Sequence, residues 1–206
     1  MPPRPVETMN TARYIVAVLL LVGLPPGVML WFFIHPFASF WRKLGPVWTY
    51  GILSPLVLLY IVGVFLARDL LLATDYGTSY ATIALAAACL VVGIWIAIAR
   101  RKLLTAGVLS GLPELSEKRY PGTLLSEGIY GRMRHPRYVE VLLVSLAYAL
   151  FSNYLGTYVL VLLAVPAIYL VVVIEERELR ERFGEAYDEY CRRVPRFIPR
   201  GRKGPR

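Results

Sequence analysis

From Tyr80 the chain reads Tyr-Ala-Thr-Ile-Ala-Leu-Ala-Ala-Ala-Cys-Leu-Val-Val-Gly-Ile-Trp-Ile-Ala-Ile-Ala to Ala99, and then turns at once to Arg100-Arg101-Lys102. A run of about 20 uncharged, apolar residues forms a helix about 30 Å long, which is the depth of a bilayer's hydrocarbon core. Four further apolar segments lie around it, at residues 14–34, 47–67, 138–151 and 155–174. The whole chain of 206 residues is 57% hydrophobic and 18% charged, with a mean hydropathy of +0.54. Such a composition excludes a disordered chain and does not suit an ordinary soluble domain. The expected fold is an all-α polytopic membrane protein of about five transmembrane helices ending in a helical hairpin. The expected division is residues 1–99 for the first three spans and residues 100–206 for a catalytic region.

The fourth segment is short. It covers about 21 Å, so it crosses only by starting earlier, near Pro136, or by tilting with the fifth as a re-entrant hairpin. The uncharged turn Ser152-Asn153-Tyr154 suits a tight connection between the two. Pro25-Pro26, Pro55 and Pro166 are expected to kink their helices without ending them, because neighbouring helices satisfy the freed carbonyls. Cys89 lies in an apolar run and Cys191 in a charged tail, so no disulfide is expected between them. With only His35 and His135 beside them, no metal site is expected.

The formal charge is +9, and most of the 23 Lys and Arg fall within residues 100–137 and 177–206. The positive-inside rule puts both stretches in the cytoplasm. Tracing back places the Arg42-Lys43 loop inside, and the Arg68/Asp69/Asp75 loop and the N-terminus outside. Five crossings, N-out and C-in, then satisfy every loop, with a prokaryotic cytoplasmic membrane as the expected setting. A cleaved leader is the alternative for the first segment, which is long for a leader's apolar core and has no clear small-residue cleavage site. Basic flanks beside spans follow from topology and anionic headgroups, so nucleic acid is not an expected partner and membrane lipids are.

The polar chemistry gathers in one connector and one tail. The connector ends Gly128-Ile129-Tyr130-Gly131-Arg132-Met133-Arg134-His135-Pro136-Arg137-Tyr138, with Pro136 fitting the first turn of the fourth helix. That helix is expected to start at Arg134 or His135, and its unpaired amides and positive dipole end suit a carboxylate or phosphate. The hairpin then returns Glu175 to the same membrane face, so a basic helix start and an acidic helix end become neighbours. Together they suit a zwitterionic ligand that also carries hydroxyls. Plainer readings stand beside this one. Arg-His-Pro can be a positive flank with a helix-starting proline, and His35 an interfacial side chain. Glu176 reads as part of a solvated helix paired with Arg180 at i,i+4, and Glu140 as either an interfacial partner of Arg137 or a functional carboxylate at membrane depth. Tyr187, Tyr190 and Phe197, with Pro195 and Pro199, read as packing of the tail against the membrane face.

In this order the motifs resemble the isoprenylcysteine carboxyl methyltransferase family of integral membrane enzymes and the related phospholipid methyltransferases. The resemblance rests on Arg134-His135-Pro136-Arg137-Tyr138 after Gly128-Ile129-Tyr130, an apolar hairpin and Glu175-Glu176. It continues through Phe183-Gly184-Glu185, Tyr187 and Tyr190 to the closing Val194-Pro195-Arg196-Phe197-Ile198-Pro199, and covers residues 122–199. It implies S-adenosyl-L-methionine as cofactor, bound on the cytoplasmic side. Gly122, Thr123, Leu124 and Leu125 would line the pocket largely through main chain. Tyr130, His135, Pro136, Arg137 and Tyr138 would contact the cofactor, and Glu175 would anchor its polar groups. Glu140 and Arg134 are the candidate catalytic side chains, and Glu140 or Glu176 the base if the acceptor must lose a proton. Two positions depart from the pattern: Ile129 stands where bacterial relatives carry proline, and Val171 where the eukaryotic prenylcysteine enzymes carry a basic residue.

The implied reaction moves a methyl group to a lipid-like acceptor: a prenylcysteine-type carboxylate, a phospholipid amine or a thiol. A rival enzyme class is the NADPH-dependent membrane sterol reductases, some of which also carry Arg-His-Pro-x-Tyr near a C-terminal hairpin. Against them, a 2'-phosphate would want Arg or Lys where this chain has two carboxylates. A non-enzymatic membrane scaffold needs every polar cluster to be a mere flank.

Overall fold

A computed structural model describes residues 5–34, 37–103 and 124–199. The described residues fold as helices: α1 (Pro5–Ile34), α2 (Ala38–Leu44), α3 (Pro46–Leu71), α4 (Tyr80–Arg101), α5 (Pro136–Ser152), α6 (Leu155–Phe183) and α7 (Glu185–Arg193). His35, Gly122 and Thr123 lie outside the described residues, as does most of the connector before Leu124. Helices α1, α3 and α6 run unbroken through Pro25-Pro26, Pro55 and Pro166. Local signals set the ends. Pro46 and Pro136 occupy first-turn positions, where a missing N–H removes no helical bond, and Ser79 caps α4 by accepting from the Thr82 amide at 3.4 Å. Asn153 turns left-handed at φ 58° and reverses the chain, so α6 begins two residues after it.

Among the described residues, four helices are long and apolar enough to cross a membrane: Glu7–Ile34, Val47–Leu71, Tyr80–Arg101 and Leu155–Phe183. Helix α5 is not among them. It does start earlier than the apolar run suggested, at Pro136, yet its 17 residues span only about 26 Å. The shortness expected of the fourth segment is thus observed, with His135 before α5 and Ser152-Asn153 at its end bounding it.

The core is built by α1, α5 and α6 together. Leu20, Leu24 and Val28 of α1 meet Tyr138 and Ala149 of α5 and Val161, Ala164, Ile168, Val171 and Val172 of α6. Helix α4 lies along α5 through Ala86, Gly93 and Ile96, and a Cβ on Gly93 would sit 3.0 Å from Val144 Cγ2, so glycine permits the close approach. Helix α3 packs on α1 and turns Leu58, Leu59, Leu66 and Leu70 outward, as lipid-facing side chains do.

The two ends of the bundle differ. At one end Arg13, almost fully buried, donates from Nε to the Ser152 carbonyl at 3.0 Å, from Nη1 to Asn10 and from Nη2 to Asp75. Around it the Tyr76 amide meets the Asn153 carbonyl at 3.1 Å, and the Leu155 amide the Thr74 carbonyl at 3.1 Å. This staple ties the start of α1, the α3–α4 loop and the α5–α6 turn together. The ends of α4 and α6, the start of α5, helix α7 and the tail all lie at the other end.

Candidate functional site

The site is assembled at the start of α5. Just before it, Ile129 and Met133 are buried against Ile96 of α4, which fixes where the connector enters. His135 is the N-cap residue and Pro136 the first helical residue, so α5 starts one or two positions later than the motif suggested. The amides of Arg134 and His135 also do not await an anion. They donate to the carbonyls of Pro195 and Arg196 at 2.9 and 3.0 Å, so the tail lies across the helix start as a strap. Arg137 is the second helical residue, where a peptide N–H has no acceptor within the helix.

Glu176 departs most from the expectation. It is not a solvated partner of Arg180 but a fully buried carboxylate. Arg134 donates to its Oε1 from Nη2 at 2.8 Å and from Nε at 3.2 Å, and His135 Nε2 lies 3.1 Å from the same oxygen. Arg196 donates from Nη2 to Oε2 at 2.7 Å, and from Nε to both oxygens at 3.1 Å. The reason is helical phase: Thr157, Val161, Ala164, Ile168, Val172 and Glu176 follow one another at spacings of three or four on the buried face of α6. Arg180 instead pairs with Asp188 of α7 at 3.1 Å. A carboxylate with so many donors is anchored and has no capacity left for a ligand.

Glu175 is the carboxylate that remains. Its side chain is 26% exposed, Oε2 is buried without a hydrogen-bond partner among the described residues, and that oxygen lies 3.7 Å from His135 Nδ1. A buried acceptor left without a donor costs about 1–3 kcal/mol, so it marks where a ligand's N–H or O–H belongs.

The remaining predicted residues surround this point. Tyr130 is half-buried, and burial, partly countered by the nearby Arg100, pushes its phenol up to about 12. Its carbonyl accepts from the Tyr190 hydroxyl at 2.7 Å. Leu124 packs on Tyr187, Tyr190 and Val194, and Leu125 is half-buried. The Tyr138 ring stands edge-on to Trp31 of α1 at 4.9 Å, and the Arg137 guanidinium lies over the same Trp31, 4.9 Å from its centroid. Both side chains thus turn toward α1. Arg134 faces the tail, donating from Nη1 to the carbonyls of Cys191 and Val194 at 2.9 and 2.7 Å. Glu140 pairs with Arg100, not Arg137: Arg100 Nη2 and Nε reach its Oε2 at 2.9 and 3.0 Å, tying the end of α4 to the first turn of α5. Val171 is fully buried in the core and cannot present anything to an acceptor. Among the described residues both cysteines are free and no cluster of potential metal ligands occurs.

The sequence was compared with known proteins. The phospholipid methyltransferase family matches residues 81–186, 106 of the 206, and so takes in the third apolar segment, which the motifs alone left out. A protein-S-isoprenylcysteine O-methyltransferase B of Arabidopsis thaliana is 35% identical over 86 residues, 37% of this chain and 39% of that protein. A protein-S-isoprenylcysteine O-methyltransferase of Schizosaccharomyces pombe is 31% identical over 85 residues, 41% of this chain and 36% of that protein. A Delta(14)-sterol reductase of Mus musculus is 35% identical over 79 residues, 37% of this chain and 19% of that protein. The chain spans well under half the length of each of these relatives. No solved structure matches it. With the match covering more than half of the chain, from α4 through α5 and α6 into the start of α7, the chain belongs to the phospholipid methyltransferase family.

Proposed function

We propose that the protein is an S-adenosyl-L-methionine-dependent membrane methyltransferase that moves the methyl group to a lipid-like acceptor. The observation that carries the reading is the buried Glu175 Oε2, without a hydrogen-bond partner among the described residues and 3.7 Å from His135, where the start of α5 meets the end of α6. This fits the cofactor chemically, because an amino acid ammonium or a ribose hydroxyl supplies the N–H or O–H that such an oxygen lacks. Glu175 and His135 would hold those groups, Arg137 would serve the carboxylate through its guanidinium and helix-start amide, and Leu124, Leu125, Tyr130, Pro136 and Tyr138 would wall the pocket. Gly122 and Thr123 are proposed to continue that wall.

When bound, S-adenosylmethionine supplies an electrophilic sulfonium methyl for direct transfer. The chain's part is to bind, orient and exclude water. Arg134 and Glu176 are engaged with each other and with the tail, so Arg134 acts by holding the site's shape and Glu176 is removed as a base. A carboxylate acceptor needs no base; an amine or thiol acceptor must lose a proton, and Glu140 is the carboxylate within the first turn of α5 that would take it. A prenylated carboxylate is the acceptor favoured by the two isoprenylcysteine methyltransferase relatives, with a phospholipid amine next. The basic excess at the site's end of the bundle supports a cytoplasmic orientation for it.

The identity to a sterol reductase supports a second reading, in which the same pocket takes NADPH. Binding separates the two. S-adenosylmethionine, S-adenosylhomocysteine and NADPH are titrated in turn against the protein in lipid nanodiscs. The methyltransferase reading expects the first two to bind; NADPH binding alone would replace it with the reductase.

A further inference from the structure

Three side chains from two separate segments converge on a single buried carboxylate. Arg134 and His135 come from the start of α5, Arg196 comes from the tail, and Glu176 receives all three. Two guanidiniums at 2.8 and 2.7 Å keep Glu176 ionised, and an ionised carboxylate only accepts hydrogen bonds. The ring nitrogen that faces it at 3.1 Å, His135 Nε2, must therefore be the one that carries the proton. In the neutral ring the lone pair is then on Nδ1, on the side of Glu175. The ring is held between Tyr138 and Phe197, with centroids 5.8 and 6.1 Å away, and Phe197 directly follows the arginine that Glu176 grips.

We infer that Glu176 is the positioning residue of this site. It fixes His135 as the Nε2–H tautomer with Nδ1 directed toward Glu175, and it holds the 194–197 strap over the start of α5. The inference deepens the pocket reading above and rests on it for the ligand. Two acceptors 3.7 Å apart, Nδ1 and Glu175 Oε2, call for a ligand group with more than one N–H or O–H between them, such as an ammonium. A tautomer with the proton on Nδ1 would offer that group one acceptor fewer.

Only two histidines occur in the chain, so a His35→Gln background leaves His135 as the single imidazole signal. The experiment is nitrogen-15 NMR of histidine-labelled protein in nanodiscs, without cofactor, at about pH 8, above the ordinary histidine range. The expected spectrum has a protonated Nε2 and an unprotonated Nδ1. Glu176→Gln should lose that single state, and Glu176→Asp, which keeps the charge, should restore it. Arg196→Gln should retain the tautomer while the amides of Arg134 and His135 exchange faster with solvent, and this variant tests the strap even where Glu176→Gln does not fold. A proton on Nδ1 in the parent spectrum, a spectrum unchanged by Glu176→Gln, or unchanged amide exchange in Arg196→Gln would overturn the inference. Because no cofactor is present, a protein that gives these spectra but binds no S-adenosylmethionine would refute the function and not the positioning role.

Discussion

Replacing Glu176 by alanine removes a fully buried carboxylate that accepts from three side chains. Arg196 is 34% exposed and can turn to solvent, so little of the cost falls on it. Arg134 is only 9% exposed and His135 only 3%, and among the described residues neither has another carboxylate within hydrogen-bond distance. Breaking a buried charge pair by removing one partner costs about 3–5 kcal/mol. Counting the two stranded donors at about 1.5–3 kcal/mol each gives about 3–6 kcal/mol, which overlaps that range. The loss should be local, since the tail is what the cluster holds. The amides of Arg134 and His135, bonded to the carbonyls of Pro195 and Arg196, report it directly. In hydrogen exchange they should lose up to roughly two to four orders of magnitude of protection. The amide of Leu155, bonded to Thr74 at the opposite end, should not change and serves as the internal control. Wild-type exchange at Arg134 and His135 in Glu176→Ala would refute the claim that this carboxylate holds the tail.

Other consequences follow from single contacts. A Cβ on Gly156 would drive into the Leu71 carbonyl, whereas one on Gly23 meets nothing within 4 Å. Gly156→Ala should therefore cost about 1–3 kcal/mol and Gly23→Ala none, read as a difference in thermal midpoint. Burial pushes the Asp75 carboxyl up, but the Arg13 guanidinium and the Gly77 amide outweigh it and hold it below the usual carboxylate range. A carboxyl lowered on folding adds stability that is complete above its unfolded pKa, about 4, and is lost as pH falls through the lower folded value. Asp75→Asn should therefore flatten the acid limb of thermal stability against pH, and an unchanged limb would count against the staple. Glu140→Gln should loosen the α4–α5 tie by about 1–3 kcal/mol; if Glu140 also takes a proton, turnover on an amine or thiol acceptor falls at unchanged cofactor affinity.

Much of the architecture was legible because lipid imposes blunt rules. Apolar runs of spanning length gave α1, α3, α4 and α6, and Asn153 in an uncharged turn gave the α5–α6 reversal. The convergence of His135 and Glu175 followed from the short hairpin alone. Which of two adjacent glutamates would be buried did not, because in α6 the lipid-facing and core-facing side chains are equally apolar and the inward face has no label. The spacing from Thr157 through Ala164 and Ile168 to Glu176 was the available signal, and it becomes readable once one buried position on α6 is known. The pairs Arg13–Asp75 and Arg100–Glu140 join positions 62 and 40 residues apart, which no local pattern connects. The strap was hidden for a different reason: it is made of the carbonyls of Pro195 and Arg196, and backbone acceptors leave no trace in residue identity.

The most direct test of the account is transfer of labelled methyl from S-adenosylmethionine by the protein in nanodiscs supplied with prenylcysteine, phospholipid and thiol acceptors. Glu175→Ala, checked for folding by its retained thermal midpoint, is the control. The account predicts label in an organic-extractable product with the wild-type chain and none with the variant. Absence of transfer to all three acceptor classes, or transfer indifferent to Glu175→Ala, would contradict it.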